Sequence, residues 1–116
     1  MGNVKAKVVH YSEVPSVAIG EAAPGASIRW LIDKEHDGAP GFALRLVELI
    51  PGARSLHHTH AYEHENFVVE GHGKVLIHDQ WHDLKPGDVA FVPPGTLHQY
   101  ANDGDVVFKF LCAIPV

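Results

Sequence analysis

Short apolar runs alternate with turn residues along most of this chain. Runs rich in Val, Ile, Leu and aromatic residues occupy positions 28–32, 42–50, 67–69, 74–77, 89–92, 97–101 and 106–114. Beside them stand Pro24-Gly25, Asp37-Gly38, Pro40-Gly41, Pro51-Gly52, Gly71-His72-Gly73, Pro86-Gly87, Pro93-Pro94-Gly95 and Asp103-Gly104. Glycine adopts positive φ without steric cost and proline presets a turn residue, so these groups end strands. Short strands at about ten-residue intervals predict an all-β sandwich or barrel. No stretch keeps a 3.6-residue apolar period long enough for a core helix.

Residues 1–25 form an N-terminal segment in which positions 4–9 are read as an edge strand able to pair with a partner chain. Residues 18–25 read as loop, and 26–116 as a single β-barrel domain. The run from Phe42 to Ile50 is apolar on both faces of its strand, where a closed monomeric barrel would turn one face to water. The excess predicts a second buried surface, most simply a homodimer interface.

Composition narrows the partners. The 116 residues suit one domain, and 46% apolar with 20% charged residues is ordinary for a soluble globular protein. A formal charge of −5 argues against a nucleic-acid backbone or an anionic membrane as partner. Cys112, the lone cysteine, excludes an intrachain disulfide, and a reducing cytoplasm is the expected compartment. No segment is apolar enough to span a membrane, and the N-terminus lacks the apolar run of a signal peptide.

Histidines carry the chemistry. Of the ten in the chain, His10, His36, His72, His78 and His82 sit beside turns or charged neighbours, where solvated imidazole is expected. His58 and His60, two apart, share one face of an extended segment, and His57 points the other way. A turn at Ala61-Tyr62-Glu63 brings His64 round onto the next strand. Imidazole is the commonest protein ligand for divalent transition metals, so this cluster is a candidate metal site.

Two stretches then match a known pattern. Gly52-x5-His58-x-His60-x3-His64-x6-Gly71 resembles the first motif of the cupins, with histidine where glutamate is usual. Gly87-x5-Pro93-x-Gly95-x2-His98-x3-Asn102 resembles their second motif at every position. Together they span close to half the chain. The resemblance implies a single-domain cupin jelly-roll β-barrel of the small cupin 2 type. It further implies one divalent metal ion per chain on His58, His60, His64 and His98, with Mn, Fe, Ni, Cu and Zn all admissible.

Four neutral imidazoles leave the ion's +2 charge uncompensated, which favours anionic or oxygen ligands. The expected ligand is a small anionic molecule such as an enolate, an α-keto acid or an α-hydroxy acid. Strand parity places Asn66 on the face of His64, and Tyr100 on that of His98, with Asn102 beyond it as a turn residue. Phe108, Phe110 and Cys112 share a face of the last strand and are expected to wall the pocket. Glu63 and Glu65 point away from it by alternation. Arg45, in its apolar run, reads either as an interior anion anchor or as an interface ion pair. The resulting expectation is a dioxygenase-like metalloenzyme acting on a small oxygenated acid. The alternatives are a metal-dependent isomerase or sugar-acid processing cupin, and a non-catalytic binding module.

Overall fold

The strand Phe108–Pro115 shows how alternation builds the core. Phe108, Phe110, Cys112 and Ile114 are buried, while Lys109, Leu111 and Ala113 between them are only partly covered. Successive side chains of a strand point to opposite faces, so a period of two separates an inner from an outer face. The computed structural model describes residues 5–116, and among them are nine strands. They are β1 (Ser16–Ala18), β2 (Ala26–Ile32), β3 (Phe42–Leu49), β4 (His64–Glu70), β5 (Gly73–Ile77), β6 (Gln80–Leu84), β7 (Val89–Val92), β8 (His98–Ala101) and β9 (Phe108–Pro115).

Six strands form one sheet in the order β1-β2-β3-β9-β4-β7, and three form a second in the order β6-β5-β8. Every pairing is antiparallel. Val47 and Leu49 of β3, Val68 of β4, and Phe108 and Phe110 of β9 meet Val75 of β5, Leu84 of β6 and Tyr100 of β8 in one buried cluster. The core therefore lies between the two sheets, as in a jelly roll. No helix among the described residues is long and apolar enough to cross a membrane.

The predicted runs reappear as β2, β3, β4, β5, β7, β8 and β9, with two further strands the apolar pattern did not mark. β6 is largely exposed and polar. It pairs with β5 through its backbone across a tight turn at His78, whose φ is 54°, so it needs little apolar signal. β1, exposed along its length, forms the sheet edge by pairing with β2.

Within this chain the sheet edge is β1; the edge strand expected at residues 4–9 is one that pairs with a partner chain. Val4 lies outside the described residues, and residues 5–9 join no ladder. Side chains anchor this stretch instead: Lys7 Nζ donates to the Leu31 carbonyl at 2.7 Å and to Asp37 at 2.8 Å. Further on, the Tyr11 ring lies 5.5 Å from the Arg29 guanidinium and 5.2 Å from Lys109 Nζ, so the chain covers part of its own outer sheet face. The apolar excess on the outer faces has two fates. Leu46 of β3 is buried within this chain, whereas Phe67, Val69, Val89 and Phe91 of β4 and β7 stay exposed.

Gly73 of β5 sits against Phe108 of β9 with no room for a side chain. A Cβ there would lie 2.4 Å from the Phe108 ring and 2.8 Å from the Ala101 carbonyl oxygen. Both obstacles belong to the packed interior, so neither yields cheaply. Gly73→Ala is expected to cost about 1–3 kcal/mol by overpacking and to lower the melting temperature by several degrees. Gly104→Ala, whose Cβ would meet nothing nearer than 3.4 Å, should stay close to the parent in the same thermal melt.

Candidate metal centre

The four motif histidines converge because a non-strand stretch is laid against β8. Ser55 N–H donates to the Tyr100 carbonyl at 2.9 Å, and Tyr100 N–H returns a bond to Ser55 Oγ at 2.8 Å. One step along, His58 and His98 exchange both backbone bonds, at 3.2 and 3.0 Å. Such directly opposed residues carry their side chains on the same face. Gly95 N–H then donates to the His60 carbonyl at 2.8 Å. Gly95 has φ of 75°, a conformation that glycine adopts without penalty, and the turn after β7 thereby holds the His60 segment in place.

His64 opens β4 opposite Val92 of β7. Ring centroids of the set lie 4.6 to 5.1 Å apart for five of its pairings: His58 with His60 and His98, His60 with His64 and His98, and His64 with His98. His58, His60 and His98 each offer a ring nitrogen, all within 4.8 Å of one another. His64 stands outside that group of three, its Nε2 2.8 Å from His60 Nε2. That spacing is close to the roughly 3 Å between neighbouring nitrogens on one ion with bonds of about 2.0–2.1 Å at a right angle.

Tautomers can be assigned for two rings. His60 Nδ1 donates to the Tyr62 carbonyl at 2.7 Å, and His98 Nδ1 to the Thr96 carbonyl at 2.8 Å, because a carbonyl only accepts. Each therefore turns an Nε2 lone pair inward, the arrangement by which a carbonyl orients a metal-bound imidazole. Tyr62 also stacks on the His60 ring at 3.9 Å. Burial is the main cause holding His64 down at about 3, with the Arg45 charge adding to it. Burial likewise lowers His58 and His98, helped in each case by neighbouring imidazoles. All three stay neutral at pH 7, as a divalent transition metal requires. The donor set fits such an ion.

The histidines sit in a cavity of about 190 Å³ whose other lining includes Ile28, Arg45, Leu56, Tyr100, Phe110 and Cys112. No carboxylate lines it. Arg45, only 8% exposed, lies inside the barrel, which resolves the two readings of this residue: it is not an interface ion pair. Its Nη2 reaches His64 Nδ1 at 3.2 Å and Cys112 Sγ at 3.0 Å, Trp30 lies 5.3 Å from the guanidinium carbon, and its buried Nε has no hydrogen-bond partner.

Of the expected pocket residues, Tyr100, Phe110 and Cys112 line the cavity. Asn66 and Phe108 do not. Asn66 accepts the Tyr100 hydroxyl proton and donates to the Leu111 carbonyl, so its amide braces Tyr100 from behind. Phe108 is a layer deeper, packed 5.2 Å from Phe110. Asn102 holds its turn, donating to the Leu49 and Val106 carbonyls and accepting from Gly104 N–H. His57 is exposed and, like Glu63 and Glu65, lies outside the cavity lining. The stacked Tyr62 and its carbonyl were missed, since nothing in a turn sequence shows which histidine its backbone will orient.

Known proteins agree with this architecture. The model of the cupin domain family matches residues 45–114. The polyketide cyclase RemF from Streptomyces resistomycificus superposes with a TM-score of 0.88 at 30% identity, over 96% of this chain and 80% of its own. A sugar phosphate isomerase of the cupin superfamily from Silicibacter pomeroyi does so with a TM-score of 0.82 at 26% identity, over 95% and 76%. An uncharacterised protein of Methanocaldococcus jannaschii is 34% identical over 62 residues, 53% of this chain and 50% of the relative, so the chain spans about half the length of that protein. The matched span runs from Arg45 to Ile114 in the closing strand and holds all four histidines, and the chain belongs to the cupin domain family.

Proposed function

We propose that this protein is a metal-dependent enzyme acting on a small, oxygen-rich anion without net oxidation. In this reading His58, His60, His64 and His98 hold one divalent transition metal ion, and Arg45 attracts the anionic end of the substrate. The observation that carries it is the charge balance of the cavity. Its lining brings together four imidazoles and a permanently charged guanidinium with no carboxylate. The bound ion supplies Lewis acidity that polarises a carbonyl or enolate oxygen. A negatively charged molecule completes a site that the protein leaves cationic.

The remaining residues shape and dry the site. Ile19, Ile28, Val47, Leu56 and Phe110 give the cavity an apolar wall, which excludes water and strengthens every charge interaction inside. Tyr100 packs against Phe110 at 4.4 Å and its hydroxyl donates a hydrogen bond to Asn66 Oδ1. Burial pushes its ionisation well up, so it orients and fills rather than transferring protons at neutral pH. A small cavity suits a small substrate. Redox-neutral chemistry is supported by the two relatives named above: cyclisation and isomerisation rearrange bonds in carbonyl-bearing molecules. A second reading, oxygen-dependent dioxygenase-like chemistry, is favoured by the all-imidazole donor set, which also suits iron and copper.

Four outcomes follow from this reading. His98→Ala should lose most bound metal after dialysis, measured by elemental analysis, while keeping the far-ultraviolet circular dichroism of the parent. Because His58, His64 and His98 have lowered pKa values in the fold, the unfolded chain binds more protons below its histidine pKa of about 6.5. Stability of the metal-depleted protein is therefore full above that pH and falls as the pH drops below it, measured by urea denaturation at successive pH values. With a panel of small keto and hydroxy acids, turnover should persist under strict anaerobiosis. Turnover only with oxygen would select the second reading. In the same protein Arg45→Gln should retain its metal and bind oxalate about 10- to 100-fold more weakly, the scale of a lost charged hydrogen bond of about 1.5–3 kcal/mol.

A further inference from the structure

His64 is held differently from its partners. His60 and His98 each have Nδ1 against a backbone carbonyl, an acceptor that fixes the proton there and leaves Nε2 free to ligate. His64 Nδ1 faces no carbonyl. It lies 3.2 Å from Arg45 Nη2 and 2.9 Å from Cys112 Sγ. A guanidinium has donors only, so it cannot take a proton from an imidazole N–H. Sulfur is the one acceptor facing that atom.

Two tautomers of His64 therefore have partners in the same geometry. With the proton on Nε2, the ring accepts from Arg45 at Nδ1 and donates to His60 Nε2, 2.8 Å away. With the proton on Nδ1, it donates to Cys112 Sγ and turns its Nε2 lone pair to the centre. Only the second can bind a metal through Nε2. The interconversion moves one proton between the two nitrogens of a neutral ring and changes no net charge. We propose that Cys112 is the positioning residue of the metal centre: its sulfur accepts the Nδ1 proton of His64 and so holds this ring in the ligating tautomer, against the competing bond from Arg45.

The register of the barrel makes the arrangement possible. Arg45 of β3 is the cross-strand partner of Cys112 on β9, and Cys112 in turn pairs with Asn66, two residues beyond His64 on β4. Three adjacent strands thus bring a donor, an acceptor and the ligand ring together on one inner face. Arg45 Nη2 also donates to Cys112 Sγ at 3.0 Å, which fixes the sulfur beside the ring. The arrangement makes His64 the conditional member of the set, while His60 and His98 have their tautomers set by the backbone.

The inference rests on the four-histidine metal centre but not on any substrate, and Co²⁺ alone tests it. Removing a partner that orients a metal ligand typically costs 10- to 100-fold in affinity. Cys112→Ala is expected to weaken Co²⁺ binding by that factor and to change the visible d–d spectrum. Cys112→Ser, which restores an acceptor, should return affinity to within about threefold of the parent. In a His64→Ala background Cys112→Ala should have no further effect, which separates positioning from a packing role. In the unmutated protein loaded with Zn²⁺, nitrogen NMR should find His64 protonated at Nδ1, a readout independent of how the variants fold. Parent-like affinity in Cys112→Ala, no recovery in Cys112→Ser, an undiminished loss in the His64→Ala background, or His64 unprotonated at Nδ1 would each overturn the proposal. Failure of the unmutated protein to bind Co²⁺ or Zn²⁺ would instead overturn the metal centre itself.

Discussion

The reciprocal backbone bonds between His58 and His98 are the constraint on which the site depends. They join a stretch outside any strand to the edge of the three-stranded sheet. Without that pairing, the histidines of the first motif would sit on a free connection, and positioning them would cost the entropy of ordering a loop. With it, the loop borrows the rigidity of β8, and the turn at Gly95 extends the clamp to His60. A candidate metal centre built this way is preorganised by backbone bonds, which any residue but proline can donate. The sequence can therefore vary around it, provided turn geometry and strand register survive.

Charge is the second organising feature. Burial and mutual proximity keep His58, His64 and His98 neutral, and Arg45 contributes a full positive charge among them. A buried guanidinium without a carboxylate is costly. Its Nε lacks any hydrogen-bond partner, while Trp30, Cys112 and the His64 ring take up part of its remaining surface. Under the proposed function, an anionic ligand balances that charge. Histidine at position 64, where the cupin motif usually carries glutamate, adds no negative charge to this lining.

Much of the fold was legible because strands leave a period of two and turns leave glycine and proline. The seven apolar runs became strands because their inner faces bury the core. β6 escaped notice because its exposed residues pair through the backbone, which has no side-chain signature. Within this chain, residues 5–9 are held by the Lys7 side chain and not by a backbone ladder. Strand parity placed Tyr100, Phe110 and Cys112 in the cavity correctly. It overreached at Asn66 and Phe108, since sharing a face does not mean sharing a depth.

Sequence alone determined the all-β class, the four histidines and their division between two motifs, because spacing along an extended chain dictates which side chains share a face. Only the tertiary structure decided what surrounds them. Arg45, Cys112 and His64 stand far apart in the chain, and the register of β3, β9 and β4 makes them neighbours. Register is set by packing of the whole barrel, and a one-residue slip would turn each of these side chains to the opposite face. Which atom of His64 carries its proton, and hence whether the ring can serve as a ligand, is settled by contacts that no local pattern encodes.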